Sequence, residues 1–257
     1  MRLFVRMNRA VALTETGAAL AGRLHELFTH LDQVLRETAE PDRMALQVSA
    51  MPSLAAKWLA PRLLRFESRY PRWSVRLVSA DHLVNFAHES ADVGVRYGAG
   101  KYPGTHSELL MQAWAFPVCS PKLLHRREHP LRTPEDLRYH TLLHDETSKR
   151  AAGIPDWRAW LQASATKRVD PARGPVFGGI HLALEAAVAG HGVALALSPL
   201  VVDDLASGRL VRPFEFELLS AFSFWVVCAR ARAQIPRIKA FRTWLLAESR
   251  TGTVRAQ

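Results

Sequence analysis

The sequence predicts an α/β protein in two similar halves, and three observations predict it. Strand-like and helix-like segments alternate from residue 44 onward, which points to a mainly parallel sheet with helices on its faces. The alternation runs twice, starting again after Cys119. Two long apolar strand candidates, "LLMQAWAFPVC" (109–119) and "AFSFWVVCA" (221–229), join the two runs. The chain is expected to cross to the second half near Cys119 and return near Cys228.

In chain order, residues 3–13 read as a short hairpin with "RMNR" at its turn. Thr14 is placed to cap a helix starting at Glu15, whose charge suits the positive end of the helix dipole. Leu20, Leu24, Leu27, Leu31 and Val34 then recur at spacings of four and three, a heptad seam widened by Phe28 and Leu35. A helix this polar on its other face is expected to pair with a partner chain. "AEPDR" (39–43) ends it at Pro41.

Beyond that boundary, "MALQVSAM" (44–51) reads as a strand and "SLAAKWLAPRLLRFESRY" (53–70) as a helix capped by Ser53. "WSVRLVSA" (73–80) and "DVGVRYG" (92–98) follow as strands. In the second run "SPKLL" (120–124) and "TPEDL" (133–137) set Ser or Thr before Pro at helix starts. "TLLHDE" (141–146), "GPVFG" (174–178) and "VALAL" (193–197) read as strands. "DWRAWLQAS" (156–164), "HLALEAAVAGHG" (181–192), "SPLVVDDLASGRL" (198–210) and "IPRIKAFRTWLLAES" (235–249) read as helices.

Composition narrows the function. The 257 residues, 48% hydrophobic and 23% charged, suit a globular protein rather than a disordered one. No apolar run approaches membrane-spanning length, and Arg6 and Arg9 interrupt any signal-peptide core, so a cytoplasmic protein with no membrane partner is expected. Two cysteines do not make a disulfide framework. The net charge of +10 lies wholly in residues 44–257, since residues 1–43 carry six Arg against six acids. Spread in this way it reads as a solvated surface and identifies no nucleic-acid reading head.

Two lobes joined by two strands form a cleft able to close on a small ligand, as in periplasmic binding proteins. In open α/β sheets a ligand lies beyond the carboxyl ends of the strands.

"LFVRMNRAVALTETGAAL" (3–20) resembles the wing and following residues of LysR-type transcriptional regulators. "MPSLAAKWLAPRLLRFESRYP", "DVGVRYGAGKYPG", "FPVCSPKLL", "TPEDLRYHTLLHDE" and "ALEAAVAGHGVALA" look like the branch of the glycine-cleavage and β-lactamase gene activators. The resemblance covers essentially the whole chain, in order. It implies a remnant of a winged helix-turn-helix at 1–14, a linker and dimerisation helix at 15–40 and an effector-binding domain at 44–257. That domain is periplasmic-binding-protein-like, two Rossmann-like subdomains joined by two hinge strands, with lobe 1 at about 44–118 and 229–249 and lobe 2 at about 119–228. The recognition helix of the winged unit does not appear in this sequence. Arg2, Arg6 and Arg9 would touch DNA phosphates as wing residues, which positions a protein without specifying a sequence. Sequence-specific DNA binding is therefore expected of a full-length regulator, and little of this chain alone.

The resemblance also implies a small-molecule effector between the lobes, for which an anion is one candidate, and a homodimer or homotetramer. Ser49 and Ser53 flank the turn after the first strand, where hydroxyl and helix N–H groups suit a carboxylate, although Ser53 serves equally as a plain cap. Tyr97 and Gly98 open "YGAG", where glycines either let backbone approach a ligand or only make a turn. Ser120 starts the next helix, and Phe224 on the returning strand faces the cleft in this register, although a strand Phe is more often core. Relatives usually offer acidic or Ser residues before "LALEAA"; here stand Gly178, Gly179, Ile180 and His181. A hydroxyl is thereby missing at Ile180, so either the effector is less polar at that end or His181 supplies the contact, although a lone His at a helix start is more often a cap or surface group.

Other classes fit less well. Cys119–Ser120 with His144–Asp145 supplies nucleophile and base types without a G-x-S-x-G elbow or a cysteine-protease signature, so no catalytic residue is expected. His125/His129 and His140/His144 have i,i+4 spacing, but Pro130 follows the first pair and the second spans a loop and a strand. No metal or cofactor is expected. A stand-alone small-molecule-binding protein, or a partner that sequesters full-length regulators in mixed dimers, is the alternative to a regulator.

Overall fold

The computed structural model describes residues 2–7, 10–39, 45–81, 86, 91–149 and 153–251. Arg9 lies outside the described residues, as do the side chains of Arg6 and Val34. Strands β1 (Phe4–Met7) and β2 (Ala10–Leu13) form the expected antiparallel hairpin. Helix α1 (Glu15–Ala39) follows. Thr14 caps it: Gly17 N–H donates to Thr14 Oγ1 (2.9 Å), and the hydroxyl donates back to Arg2 O (2.9 Å). A Cβ on Gly17 would collide with the Leu3 carbonyl, so only glycine lets the hairpin lie this close to the helix.

The remaining strands form one eight-stranded sheet in the order β4-β3-β5-β10-β6-β9-β7-β8. They are β3 (Leu46–Ala50), β4 (Val75–Ser79), β5 (Val93–Gly98), β6 (Thr105–Cys119), β7 (Leu142–Asp145), β8 (Val176–Phe177), β9 (Val193–Leu197) and β10 (Leu218–Ala229). The flanks are parallel, β4 and β5 on β3 at one side and β8 and β9 on β7 at the other. The middle is antiparallel, because β10 pairs with both β5 and β6, and β6 pairs with β9. The sheet is therefore mixed rather than mainly parallel: two long strands running in opposite directions must cross between the flanks. The β10–β6 register shifts between Leu219 and Ser223, where the sheet changes from one half to the other.

The helices depart from expectation at their ends. Helix α2 (Pro52–Leu54), a π-helical turn (Ala55–Leu59) and α3 (Ala60–Arg69) make one rod. Ala60 N–H donates to Ala55 O, five residues back, just before Pro61, which has no N–H to give. In the second half lie α4 (Pro121–Leu124), α5 (Trp157–Ala163), α6 (Ile180–Val188) and α7 (Val202–Ala206); α8 (Pro236–Thr251) ends the description. Helix α6 stops at Val188 rather than Gly192, with Gly190 taking the left-handed turn (φ 84°). The segment 198–210 splits into a 3₁₀ turn (Ser198–Leu200) and α7.

The main core is continuous across both halves. Leu46, Trp58, Phe66, Val95 and Phe241 of the first half share it with Ile180, Leu184, Leu197 and Leu200 of the second. A satellite core around Leu137, Trp157 and Trp160 lies under the second half.

Candidate functional site

The carboxyl ends of β3 and β5 lie on one side of the first half, and those of β7 and β8 share an end of the second. Chain leaves β3 through Met51, which is the N-cap residue in extended conformation (φ −60°, ψ 145°). Pro52 takes the first helical position, so Ser53 sits inside the first turn, buried, and makes no capping bond. This corrects the sequence reading: the fixed φ of Pro52, not a serine hydroxyl, starts the helix. Ser49, also buried, accepts from Arg96 Nη2 at its Oγ (2.6 Å) and from Arg96 Nη1 at its carbonyl (2.9 Å). The hydroxyl proton of Ser49 remains for another acceptor, with a buried guanidinium behind it.

Tyr97 and Phe224 are register partners on β5 and β10, with rings 4.9 Å apart. Phe224 is fully buried in the main core, so its part is to support Tyr97 from below rather than to line the cleft. The Tyr97 hydroxyl bonds Ser220 Oγ at 2.5 Å. Gly98 O accepts from Trp225 Nε1 (3.0 Å). The Trp225 ring lies where a side chain on Gly100 (φ 81°) would stand, which explains the glycine there.

In the second half, β7 ends at Asp145, whose carboxylate accepts from Thr147 N (3.0 Å) and from the Thr147 hydroxyl. After β8, Gly178 and Gly179 lead into α6; the His181 ring folds back over Gly179, so a Cβ there would lie 2.8 Å from it. Ile180 is buried, and with Ala115, Asp145, Ser148 and Trp157 it lines a cavity of about 30 Å³, room for a single water. Helix α2, carrying Ser53, touches α6, carrying Ile180 and His181. Burial pushes the Tyr97 phenol up to about 12; the Ser220 hydrogen bond opposes that rise, and the negative charge of Asp145 adds to it. Asp145 thus acts electrostatically on Tyr97 from the opposite half.

Ser49, Ser53, Tyr97, Gly98, Gly179, Ile180 and His181 therefore stand on elements that converge. Ser120 does not join them. Ala115 pairs with Leu197 beside the Ile180 cavity, whereas Cys119 pairs with Val193. Five residues of strand, about 16 Å, separate Ser120 from that end, and it packs next to Gly190 at the far end of α6. The sequence reading named Asp145 only within a catalytic alternative and did not name Thr147; as a cleft residue, Asp145 had one signal, an acidic residue at a strand's carboxyl end.

Five charged side chains close the halves on each other. Lys57 of the π-turn reaches Asp204 (2.7 Å) and Glu185 (2.9 Å), and Arg62 grips Asp203 through two bonds of 2.7 Å. Burial pulls the Lys57 ammonium down, but the hydrogen bonds and charges of Asp204 and Glu185 outweigh it and hold it above the ordinary lysine value. The Lys57 hydrogen bond holds Glu185 below the usual carboxylate range, and Arg62 does the same to Asp203.

The residues of the rejected classes lie apart. Burial pushes the Cys119 thiol up to about 12, and His144 Nε2 lies 3.1 Å from Arg173 O rather than against a nucleophile. His129 stacks on Tyr139 (4.3 Å), and His140 is buried. Among the described residues no group of three or more His, Cys, Asp or Glu is placed to hold a metal ion. No described helix is long and apolar enough to cross a membrane.

Two α/β halves joined by two long strands, with polar groups gathered at their carboxyl ends, define a cleft-bearing ligand-binding domain. The LysR substrate binding domain matches residues 39–250, and the chain belongs to that family: it carries the effector domain of a LysR-type transcriptional regulator. It is 38% identical over 250 residues to the glycine cleavage system transcriptional activator of Escherichia coli, covering 97% of this chain and 80% of that protein. It is 34% identical over 246 residues to the transcriptional activator AmpR of Pseudomonas aeruginosa, covering 95% and 79%. The solved effector domain of that AmpR superposes with a TM-score of 0.64 at 33% identity, over 81% of this chain and 96% of the other. The AmpR effector-binding domain of Citrobacter freundii gives 0.65 at 28% identity, over 80% and 98%.

Proposed function

We propose that this chain senses a small polar effector held between its lobes and transmits lobe closure to transcription. The observation that carries the reading is the contact of α2, which carries Ser53, with α6, which carries Ile180 and His181, because it brings the two strand-end clusters against each other. Ser49, Ser53, Tyr97 and Gly98 supply one wall, Gly179, Ile180 and His181 the other. The buried Arg96 guanidinium behind Ser49 favours a carboxylate or similar anion on the first wall. Ile180 makes the second wall less polar than a serine would. The lobe boundaries we propose move from the expected 118/119 and 228/229 into the two long strands: β6 crosses before Ala115, where it meets β9, and β10 crosses before Ser223, where it meets β5.

The effector acts only if it binds one lobe angle better than the other. Its partners on this reading are DNA, which the β1–β2 wing meets through phosphate contacts of Arg2, and a second copy of the chain. The second copy docks on α1, where Leu24, Leu27, Phe28 and Leu31 are exposed at heptad spacing, with Leu20 half-buried beside them. A regulator of this kind works in the cytoplasm and carries out no reaction. Calorimetric titration with a panel of amino acids and small dicarboxylates tests the cleft. A saturable ligand weakened about tenfold or more by Ser53→Val is expected. Binding unchanged in that variant would place the effector elsewhere.

A further inference from the structure

Away from the cleft, the segment "HRREHPLR" (125–132) has no part in the reading above. Helix α4 is a single turn that ends at His125, and the chain then arches outward. The arch is well anchored. His129 stacks flat on Tyr139, Arg138 lies 4.5 Å from the same ring, and Leu131 is buried in the satellite core. Asp136 accepts from the N–H groups of Arg132 and Thr133 and from the Thr133 hydroxyl, so the nearby carboxylate is committed to its own turn.

Under the arch lies a hollow of about 610 Å³, lined by His125, Arg126, Arg127, Arg132 and, from another segment, Arg212. Arg212 is fixed in place: it donates to Glu215 O (2.9 Å), pairs with Glu217 (3.1 Å) and packs 4.0 Å over the Phe116 ring. Arg126, Arg127 and Arg132 have no carboxylate within ion-pair distance among the described residues. Four arginines thus line one concavity, the exposed Arg126, Arg127 and Arg132 together with Arg212, whose partner acid is Glu217. Folded surfaces ordinarily intersperse signs, and a cluster of like charges around a hollow is repulsive until a counter-charge enters. The field also reaches inward, since burial and then the Arg126 charge hold the His140 imidazole below its usual value.

We propose that this hollow is a second ligand site, built for a small, multiply charged oxyanion of the phosphate class. Guanidinium forks match phosphate oxygens two at a time, and a concavity favours a compact polyanion over the rail of a duplex. The position gives the site leverage. Val211, next to Arg212, bridges Cys119, where β6 ends, and the 211–213 segment leads on toward β10. An anion held between the arch and Arg212 therefore ties together the second-lobe ends of both crossing strands.

The test is calorimetric titration of the whole chain with inorganic pyrophosphate at physiological salt. Three chains are compared: the native one, a triple variant (Arg126→Gln, Arg127→Gln, Arg132→Gln), and a control (Arg69→Gln, Arg72→Gln, Arg76→Gln) that removes equal charge from exposed positions on the first lobe. Circular dichroism verifies the fold of each. Expected is one site per chain, weakened about tenfold or more by the first variant and less than about threefold by the control. Equal weakening by both variants, or binding without saturation, means an adventitious ion only and overturns the proposal. So does random duplex DNA that displaces pyrophosphate from the native chain and loses its own binding in the first variant, because the hollow then serves a nucleic acid backbone. The cleft plays no part in these outcomes.

Discussion

Lys57 Nζ lies 2.7 Å from Asp204 Oδ2, joining the π-helical turn of the first half to α7 of the second. Both groups are buried, with side-chain exposures of 10% and 1%, and Arg209 holds the other oxygen of Asp204. Breaking a buried ion pair by removing one partner costs about 3–5 kcal/mol. Lys57→Met is expected at the lower end of that range, because Arg209 still compensates Asp204. The same change frees the lobes to part. Urea denaturation reads the first effect and small-angle scattering, as a larger radius of gyration, the second. An unchanged radius would mean that the shared apolar core alone holds the lobes shut.

The same contacts set a pH dependence. Glu185 and Asp203 are held below the usual carboxylate range, so their contribution to closure is complete above that range and is lost as pH falls through their depressed values. Lys57 is held above its ordinary value, so its share is complete below that value and is lost only in strong alkali. Closure is expected to be flat from about pH 6 to 9 and to weaken below about pH 4. The exposed Glu185 share is also expected to fade with salt. Scattering recorded against pH checks this, and a transition near pH 6.5 would assign control to a histidine instead.

Tyr97 is expected to stay neutral throughout that range, since burial pushes its phenol up to about 12. Ultraviolet titration of the phenols, compared between the native chain and Tyr97→Phe, isolates this group. The variant also removes the bond to Ser220, whose Oγ keeps the Phe222 N–H (3.0 Å), so the loss of stability is expected to be only about 1 kcal/mol. Ionisation of Tyr97 below pH 10 would mean that the lobes stand open in solution.

The fold was legible where its causes are local. The Thr14 cap, the alternation from residue 44 and the two long crossing strands are read from neighbours in sequence. Helix ends were less legible: Pro52 displaced Ser53 from the cap, and Gly190 rather than Gly192 ended α6. The placement of the candidate site was half legible. Ser49 and Tyr97 each stand one residue before the carboxyl end of a strand, but Lys57 meets Glu185 across 128 residues of chain, and nothing local announces such a pair. Ser120 misled because a helix start after a strand looks alike at either end of a sheet. Only the β6–β9 register distinguishes the two.

Both cysteines are fully buried, and burial raises both thiols, Cys119 to about 12. A buried thiol that stays protonated neither attacks nor is attacked. A disulfide reagent is expected to modify no thiol in the native chain over an hour and two per chain in denaturant. Rapid native labelling of Cys119 would reopen the possibility of nucleophilic chemistry there.

Helix α1 presents its apolar seam to solvent. Leu27 and Phe28 are 65% and 66% exposed, and Leu24 and Leu31 continue the row. Burying such a seam against a second copy removes apolar area worth roughly 25 cal/mol per Å². It also disposes of an exposed stripe that would otherwise invite aggregation. The polar opposite face and the heptad spacing suit a helix-to-helix interface rather than docking on the chain's own effector domain. Leu27→Glu with Leu31→Glu places like charges across that seam, so, on the proposed homo-oligomer, sedimentation should show the assembly falling by at least one step. Ligand binding in the cleft should be unchanged, because α1 contributes nothing to it. An assembly state indifferent to both glutamates would mean that the copies meet through the effector domains instead.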